Sequence, residues 1–109
     1  MMQIYGIKNC DKVRAAMRWG QEQGLDVQLH DYRVDGLDAQ LLDTFIQHFP
    51  LETLVNKRST SWRGLSDEQR AQLTPEVILE QPTLIKRPLV KLKQDMILGF
   101  EPDQWKQLI

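Results

Sequence analysis

Hydrophobic and polar positions at the start of the chain change from the period of a strand to the period of a helix. Residues 3–7 form a short, mostly apolar run that predicts a strand. The helical spacing that follows is carried by Val13, Ala16, Met17 and Gly20. Asn9 is the predicted N-cap of this helix, and Gly24 is its predicted stop. The pattern therefore places Cys10 at the beginning of a helix that follows a strand and a short loop.

A second strand and a second helix follow with the same change of period. Residues 27–32 alternate between apolar and polar side chains and predict a strand. Gly36 marks a turn, Asp38 is the predicted cap of the next helix, and Pro50 ends that helix. One face of the helix carries Leu41, Leu42, Phe45, Ile46 and Phe49. This alternation predicts parallel strands joined by a right-handed crossover.

The remaining residues predict several short elements. Helical turns are expected at residues 51–55, at 66–73 after a serine–glutamine capping box, and from Pro75 until Pro82. The predicted strands are residues 83–85, 89–92 and 96–98, the last two forming a hairpin. A final helix from Pro102 is expected to carry Trp105, Leu108 and Ile109. Together, these strands and helices predict an α/β fold with a small mixed sheet flanked by helices.

Composition narrows the class of protein. The 109 residues, 41% hydrophobic and 27% charged, suit a single domain with one modest core. A net charge of −1 gives no general reason to expect nucleic-acid binding. We see no signal-peptide pattern at the N-terminus and no apolar stretch long enough to span a membrane. The single cysteine excludes an intramolecular disulfide. We therefore expect a cytoplasmic protein.

Cys10 is the first candidate for chemistry. A lone cysteine is often only a small buried hydrophobe, but a thiol at a helix N-terminus faces unpaired N–H groups that stabilise its thiolate. A reference thiol titrates near about 8.5, so half-ionisation at neutral pH needs roughly 2 kcal/mol. A helix terminus supplies about 0.3–1 kcal/mol, and the adjacent Asp11 opposes ionisation. A cation is therefore needed, and the candidates are Lys8, Lys12, Arg14, Arg58 and Arg87.

Other candidate sites are weaker on local sequence. The basic stretch at residues 56–63 is typical of a solvated loop. His30 and His48 lack the spacing of a metal site, so no metal is expected. A phosphatase-type Cys-x5-Arg loop is absent, because Ala16 stands at the position of its arginine. Only about 5–6% of X-Pro bonds in folded proteins are cis, so local sequence favours a trans bond before Pro88.

Three segments resemble one known family. They are YGIKNCD at residues 5–11, HDYRVDG at 30–36 and LIKRPL at 84–89. Their order and spacing resemble the ArsC/Spx family, and most closely its YffB branch. The resemblance implies a thioredoxin-like fold with a helical insertion at about residues 51–81. It also implies that Cys10 matches the catalytic cysteine of arsenate reductases, and that Arg87 matches their arginine before a cis-proline, here Pro88.

The chain also departs from members of that family. Arsenate reductases carry His-Asn-Pro before the cysteine region and Ser-Arg after it, whereas this chain has IKN at residues 7–9 and DKVR at 11–14. Spx-type regulators commonly carry Cys-x-x-Cys, and Val13 occupies the second cysteine position here. We therefore expect weak or absent arsenate reduction, and no redox switch within one molecule.

The function that the resemblance favours is a glutathione-coupled thiol reductase. The Cys10 thiolate would attack a disulfide, a mixed disulfide or a small oxidised substrate, and glutathione or a glutaredoxin would resolve the product. Arg87 is expected to act with Cys10, and the candidate anion- or substrate-binding residues are Lys8, Asn9, Arg58 and Pro88. Glutathione is then a co-substrate, and no bound cofactor is expected. The alternatives are an Spx-like interaction module that contacts RNA polymerase, and an arsenate reductase.

Overall fold

A computed structural model describes residues 1–99, 102–105 and 107. The described chain forms one mixed sheet with the strand order β2-β1-β3-β4. The strands are β1 (Met2–Gly6), β2 (Val27–Asp31), β3 (Leu89–Leu92) and β4 (Asp95–Leu98). The predicted mixed α/β sheet is therefore confirmed.

The central strand β1 fixes the register of the sheet. It runs parallel to β2, with Gly6 opposite Asp31, and antiparallel to β3, with Tyr5 opposite Leu89. Strands β3 and β4 form the predicted hairpin, and Lys93 in its turn has a φ of 58°. Since Tyr5 pairs with the first residue of β3, the segment before β3 lies beside the end of β1 that leads toward Cys10.

Two of the described helices, α1 (Asp11–Glu22) and α2 (Ala39–His48), are ten residues or longer. The others are short: α3 (Leu51–Leu54), α4 (Thr60–Arg63), α5 (Asp67–Ala71), α6 (Pro75–Glu80) and α7 (Pro102–Trp105). In α2, α4, α5 and α6 the side-chain oxygen of the N-cap residue accepts a hydrogen bond from a backbone N–H of the first turn; these caps are Asp38, Ser59, Ser66 and Thr74. The capping box of α5 is formed as predicted. No described helix is long and apolar enough to cross a membrane.

The chain forms two compact units, residues 1–35 with 87–109, and residues 36–86. The first unit contains the sheet, α1 and α7. Its core is formed by Met2, Ile4, Val13, Ala16, Trp19, Val90, Leu92 and Trp105. The second unit contains α2 to α6 and buries Leu42, Phe45, Leu54, Ile78 and Leu84. A single domain with an insertion at residues 51–81 stays a prediction.

Two predicted elements differ from the structure. Residues 83–85 are not a strand: Pro82–Leu84 is a 3-10 turn, and Ile85 makes only an isolated bridge to Val55. Leu84 N donates to Gln81 O at 3.0 Å, so this apolar segment satisfies its backbone locally. The loop expected at 56–63 contains α4, because Ser59 caps it. Two residues expected on the final helix, Leu108 and Ile109, lie outside the described residues.

Candidate functional site

Cys10 occupies the N-cap position of α1, so the prediction that Asn9 caps this helix is wrong by one residue. Its backbone is extended, with φ −136° and ψ 125°, and its carbonyl accepts a hydrogen bond from Arg14 N at 3.0 Å. The thiol is free, half-buried and makes no capping hydrogen bond. The side chain also packs against the apolar core of the first unit. The predicted position at a helix start, with partial exposure, is confirmed.

Two charged groups beside Cys10 pair with each other. Arg14 forms a salt bridge with Asp11, and its guanidinium also lies 3.4 Å from Asn9 Oδ1. The side chain of Asp11 is 95% exposed, and surface pairs of this kind contribute only about 0–1 kcal/mol. The pairing therefore matters less for stability than for local charge: the carboxylate that opposes a Cys10 thiolate has a cation next to it.

The loop before Cys10 is tied to the end of β2 by Asp31. Lys8 N donates to Asp31 Oδ2 at 2.9 Å, and Arg33 N donates to Asp31 Oδ1 at 2.8 Å. Burial by itself would raise the pKa of Asp31, but the backbone N–H groups of Lys8 and Arg33, the charge of Arg33 and the N–H of Val34 together hold it below its usual range. The carboxylate therefore stays ionised at neutral pH.

That lowered pKa predicts how stability depends on pH. A carboxyl whose pKa is lower in the folded state contributes stability above its unfolded value of about 3.9, and the contribution is lost as pH falls through the folded value. The difference in unfolding free energy between the wild type and Asp31→Asn should therefore shrink as pH falls from 5 toward 2. Urea titrations at each pH measure it, and a difference that stays constant over this range would contradict the prediction.

Arg87 and Pro88 precede β3, next to the end of β1. The peptide bond between them is cis, as the family resemblance implied and against the local expectation of a trans bond. The Arg87 stem packs over Gly6: a Cβ placed on Gly6 would lie 3.7 Å from Arg87 Cγ and 2.8 Å from Val13 Cγ2. Pro88 is buried and Arg87 is half-buried. Gly6 thus allows α1 and the Arg87 segment to approach β1 closely.

Tyr32 joins the same corner of the first unit. Its backbone N donates to Gly6 O at 2.9 Å, and its side chain is 5% exposed. The hydroxyl has no hydrogen-bond partner among the described residues. Burial raises the pKa of Tyr32 far above its usual range, and Tyr5 adds to that rise, whereas the positive charge of Arg87 opposes it. Tyr32 is therefore neutral at all physiological pH values.

The structure places five of the predicted site residues in the first unit. Lys8 and Asn9 are exposed on the loop before Cys10, and Arg87 and Pro88 flank the strand end that leads into that loop. Arg58 belongs to the second unit, where it is exposed and its N–H donates to Asn56 Oδ1 at 3.0 Å. Among the described residues, no three histidine, cysteine, aspartate or glutamate side chains form a group that could hold a metal ion.

Three residues of the site were not identified as site residues from the sequence: Gly6, Asp31 and Tyr32. The signal for Asp31 was an aspartate at a strand end followed by turn-forming residues, a position where the carboxylate commonly accepts backbone N–H groups. Gly6 and Tyr32 act through contacts with segments distant in sequence. Nothing in their local sequence indicates those contacts.

Comparison with known proteins gives a consistent result. The sequence profile described as "ArsC family" matches residues 5–108. A protein of Haemophilus influenzae named "Uncharacterized protein" is 41% identical over 110 residues, which cover 97% of this chain and 96% of that protein. These matches extend over nearly the whole chain, including the described corner around Cys10.

Two solved structures agree with that result. The "YFFB (PA3664) protein" is 32% identical and superposes with a TM-score of 0.90, covering 99% of this chain and 98% of the other. An "arsenate reductase (ArsC) related protein" of Brucella melitensis is 37% identical with a TM-score of 0.77, covering 97% and 92% of the two chains. The predicted fold of the ArsC type is confirmed, and the chain belongs to the ArsC family.

Proposed function

We propose that this chain is a glutathione-coupled thiol reductase in which Cys10 is the reacting group. The observation that carries the proposal is the half-buried free thiol at the N-cap of α1, which makes no capping hydrogen bond. A side chain at this position faces the unpaired N–H groups of the first helical turn, which favour the thiolate over the thiol. Membership of a family that includes arsenate reductases supports thiol chemistry as a class.

The proposed reaction has two exchange steps. The Cys10 thiolate attacks the glutathione sulfur of a mixed disulfide between glutathione and a substrate thiol. The substrate sulfur leaves as a thiolate and takes a proton from water, while Cys10 and glutathione form a new disulfide. A second glutathione thiolate then attacks the glutathione sulfur of that disulfide. Cys10 returns to the thiolate, and oxidised glutathione is released.

An external thiol is required because the chain has one cysteine. No second thiol of the same molecule can resolve the Cys10 disulfide, so a partner molecule supplies the electrons. Glutathione is the abundant candidate in a reducing compartment, and a glutaredoxin is the second proposed reductant. The substrate class is therefore glutathione mixed disulfides and other small oxidised thiols.

Charges around Cys10 suit an anionic co-substrate. Arg87 is the proposed partner of the thiolate, because its stem packs at the strand end from which the Cys10 loop departs. Exposed Lys8 and Asn9 are the proposed contacts for the carboxylates of glutathione, with Pro88 lining the same corner. Arg58, in the second unit, stays a further proposed anion-binding residue.

The experiment that tests the proposal is incubation of the reduced protein with oxidised glutathione, followed by mass spectrometry. We expect one glutathione adduct per chain, located on Cys10, and none on Cys10→Ser. Iodoacetamide, a small neutral reagent, is the control for accessibility of the thiol. Alkylation of Cys10 without any glutathione adduct would contradict the proposal and favour an interaction module of the Spx type.

A further inference from the structure

One buried carboxylate connects the Cys10 loop to the neighbouring strand. Asp31 is the last residue of β2 and lies opposite Gly6, the last residue of β1. Its two carboxylate oxygens accept hydrogen bonds in different directions, from Lys8 N at 2.9 Å and from Arg33 N at 2.8 Å. Lys8 is two residues before Cys10, and Arg33 is two residues after Asp31. The same side chain thus holds the segment that leaves β1 and the turn that leaves β2.

Hydrogen bonds to its own N–H and carbonyl groups hold the backbone of Asp31 in place. Asp31 N donates to Asp35 Oδ2 at 3.0 Å, and Asp31 O accepts from Val34 N at 3.0 Å and from Asp35 N at 2.7 Å. Asp31 is 8% exposed, so water competes weakly for its oxygens. A rigid acceptor of this kind restrains the N–H group that it binds.

We propose that Asp31 is the positioning residue of the Cys10 site, with Lys8 N as the group through which it acts. The inference rests on the proposed function and deepens it. Asp31 touches no reacting atom. It restrains the loop on which Lys8 and Asn9 present their side chains to an anionic co-substrate. Without the restraint, each encounter with glutathione must order the loop, which slows the exchange reaction.

Asparagine is the diagnostic replacement. Lys8 N and Arg33 N bind different carboxylate oxygens, and an asparagine in the same position has an oxygen at only one of those two places, so it can accept from Arg33 N or from Lys8 N but not from both. Its NH2 group would then face an N–H donor. Asp35→Asn is the matched control, because it removes a carboxylate charge from the same turn while its remaining side-chain oxygen can still accept from Asp31 N. The bonds to Asp31 Oδ1 and Oδ2 do not involve Asp35.

The charge of Asp31 and its positioning role predict opposite effects of Asp31→Asn on the reactions of Cys10. Asp31 is a negative charge near a reacting thiolate, so charge alone predicts that Asp31→Asn speeds the reaction of Cys10. The positioning role predicts that Asp31→Asn slows adduct formation with oxidised glutathione by about five- to tenfold, the loss expected for one ordinary hydrogen bond. Reaction with iodoacetamide, which needs no bound carboxylate, should change less than about twofold.

The test combines these rates with amide hydrogen exchange at Lys8, measured by NMR on the full chain. We expect a protected Lys8 amide in the wild type and in Asp35→Asn, and faster exchange in Asp31→Asn. An unprotected Lys8 amide in the wild type overturns the proposal and needs no variant. An adduct rate in Asp31→Asn equal to or above that of the wild type also overturns it. Absence of any wild-type adduct rejects the proposed function instead, while Lys8 exchange still decides whether Asp31 restrains the loop.

Discussion

Replacing Arg87 with alanine is expected to slow the alkylation of Cys10 by iodoacetamide at pH 7 by about three- to tenfold. A neighbouring arginine favours the thiolate over the thiol when the pair is partly shielded from water. The half-buried Arg87 meets the condition of shielding. Losing it should lower the rate of alkylation at pH 7. The thiolate of a less acidic thiol is more nucleophilic, and this offsets part of the loss in thiolate concentration.

Arg18→Ala is the matched control for this variant. Arg18 is an exposed arginine of α1, eight residues after Cys10, so its removal changes the net charge by the same amount without touching the site. Its alkylation rate at pH 7 should equal that of the wild type. Alkylation of Arg87→Ala at the wild-type rate would remove Arg87 from the proposed mechanism, whatever the outcome for stability.

Replacing Trp105 with alanine is expected to destabilise the fold by about 3–5 kcal/mol, the usual cost of emptying a large buried aromatic site. Trp105 is completely buried in the core of the first unit. Its ring meets Trp19 edge to face, with centroids 5.3 Å apart at an angle of 76°. Aromatic pairs in this geometry contribute about 0.5–1.5 kcal/mol beyond their buried area. The melting temperature should fall by about 15–25 °C.

Trp62→Ala gives the comparison for loss of a tryptophan outside that core. Trp62 is half-buried in α4 of the second unit, where Lys57 Nζ lies 5.7 Å from its ring centre. Its removal should cost about 1–2 kcal/mol. Urea unfolding followed by circular dichroism measures both variants. Equal losses for Trp62→Ala and Trp105→Ala would contradict the assignment of Trp105 to the core.

Local sequence predicted the elements whose periods and caps are strong. Strand β1, helix α1, strand β2 and helix α2 follow from hydrophobic spacing, with Asp38 as a correctly predicted cap. Residues 83–85 show the limit of that reasoning. A short apolar run fits a strand or a buried turn equally well, and Pro82 with the local bonds after it decided in favour of the turn.

The site was predictable only in part. Spacing placed Cys10 at a helix start, because the change of period marks that boundary to within a residue or two. The hydrogen bond from Lys8 N to Asp31 joins residues 23 positions apart, and Arg87 packs over Gly6 although most of the chain lies between them. Such contacts depend on strand register, which local patterns do not specify. The cis bond before Pro88 followed from family resemblance and not from local preference.

The proposed catalysis by Cys10 with glutathione can be measured on one defined exchange reaction. A peptide carrying a glutathione mixed disulfide is incubated with excess reduced glutathione, and release of the free peptide is followed with and without the protein. We predict release at a rate proportional to protein concentration, with many peptides freed per chain and no acceleration by Cys10→Ser. A rate equal to that of glutathione alone, with Cys10 shown to be accessible by alkylation, would rule out catalysis by Cys10.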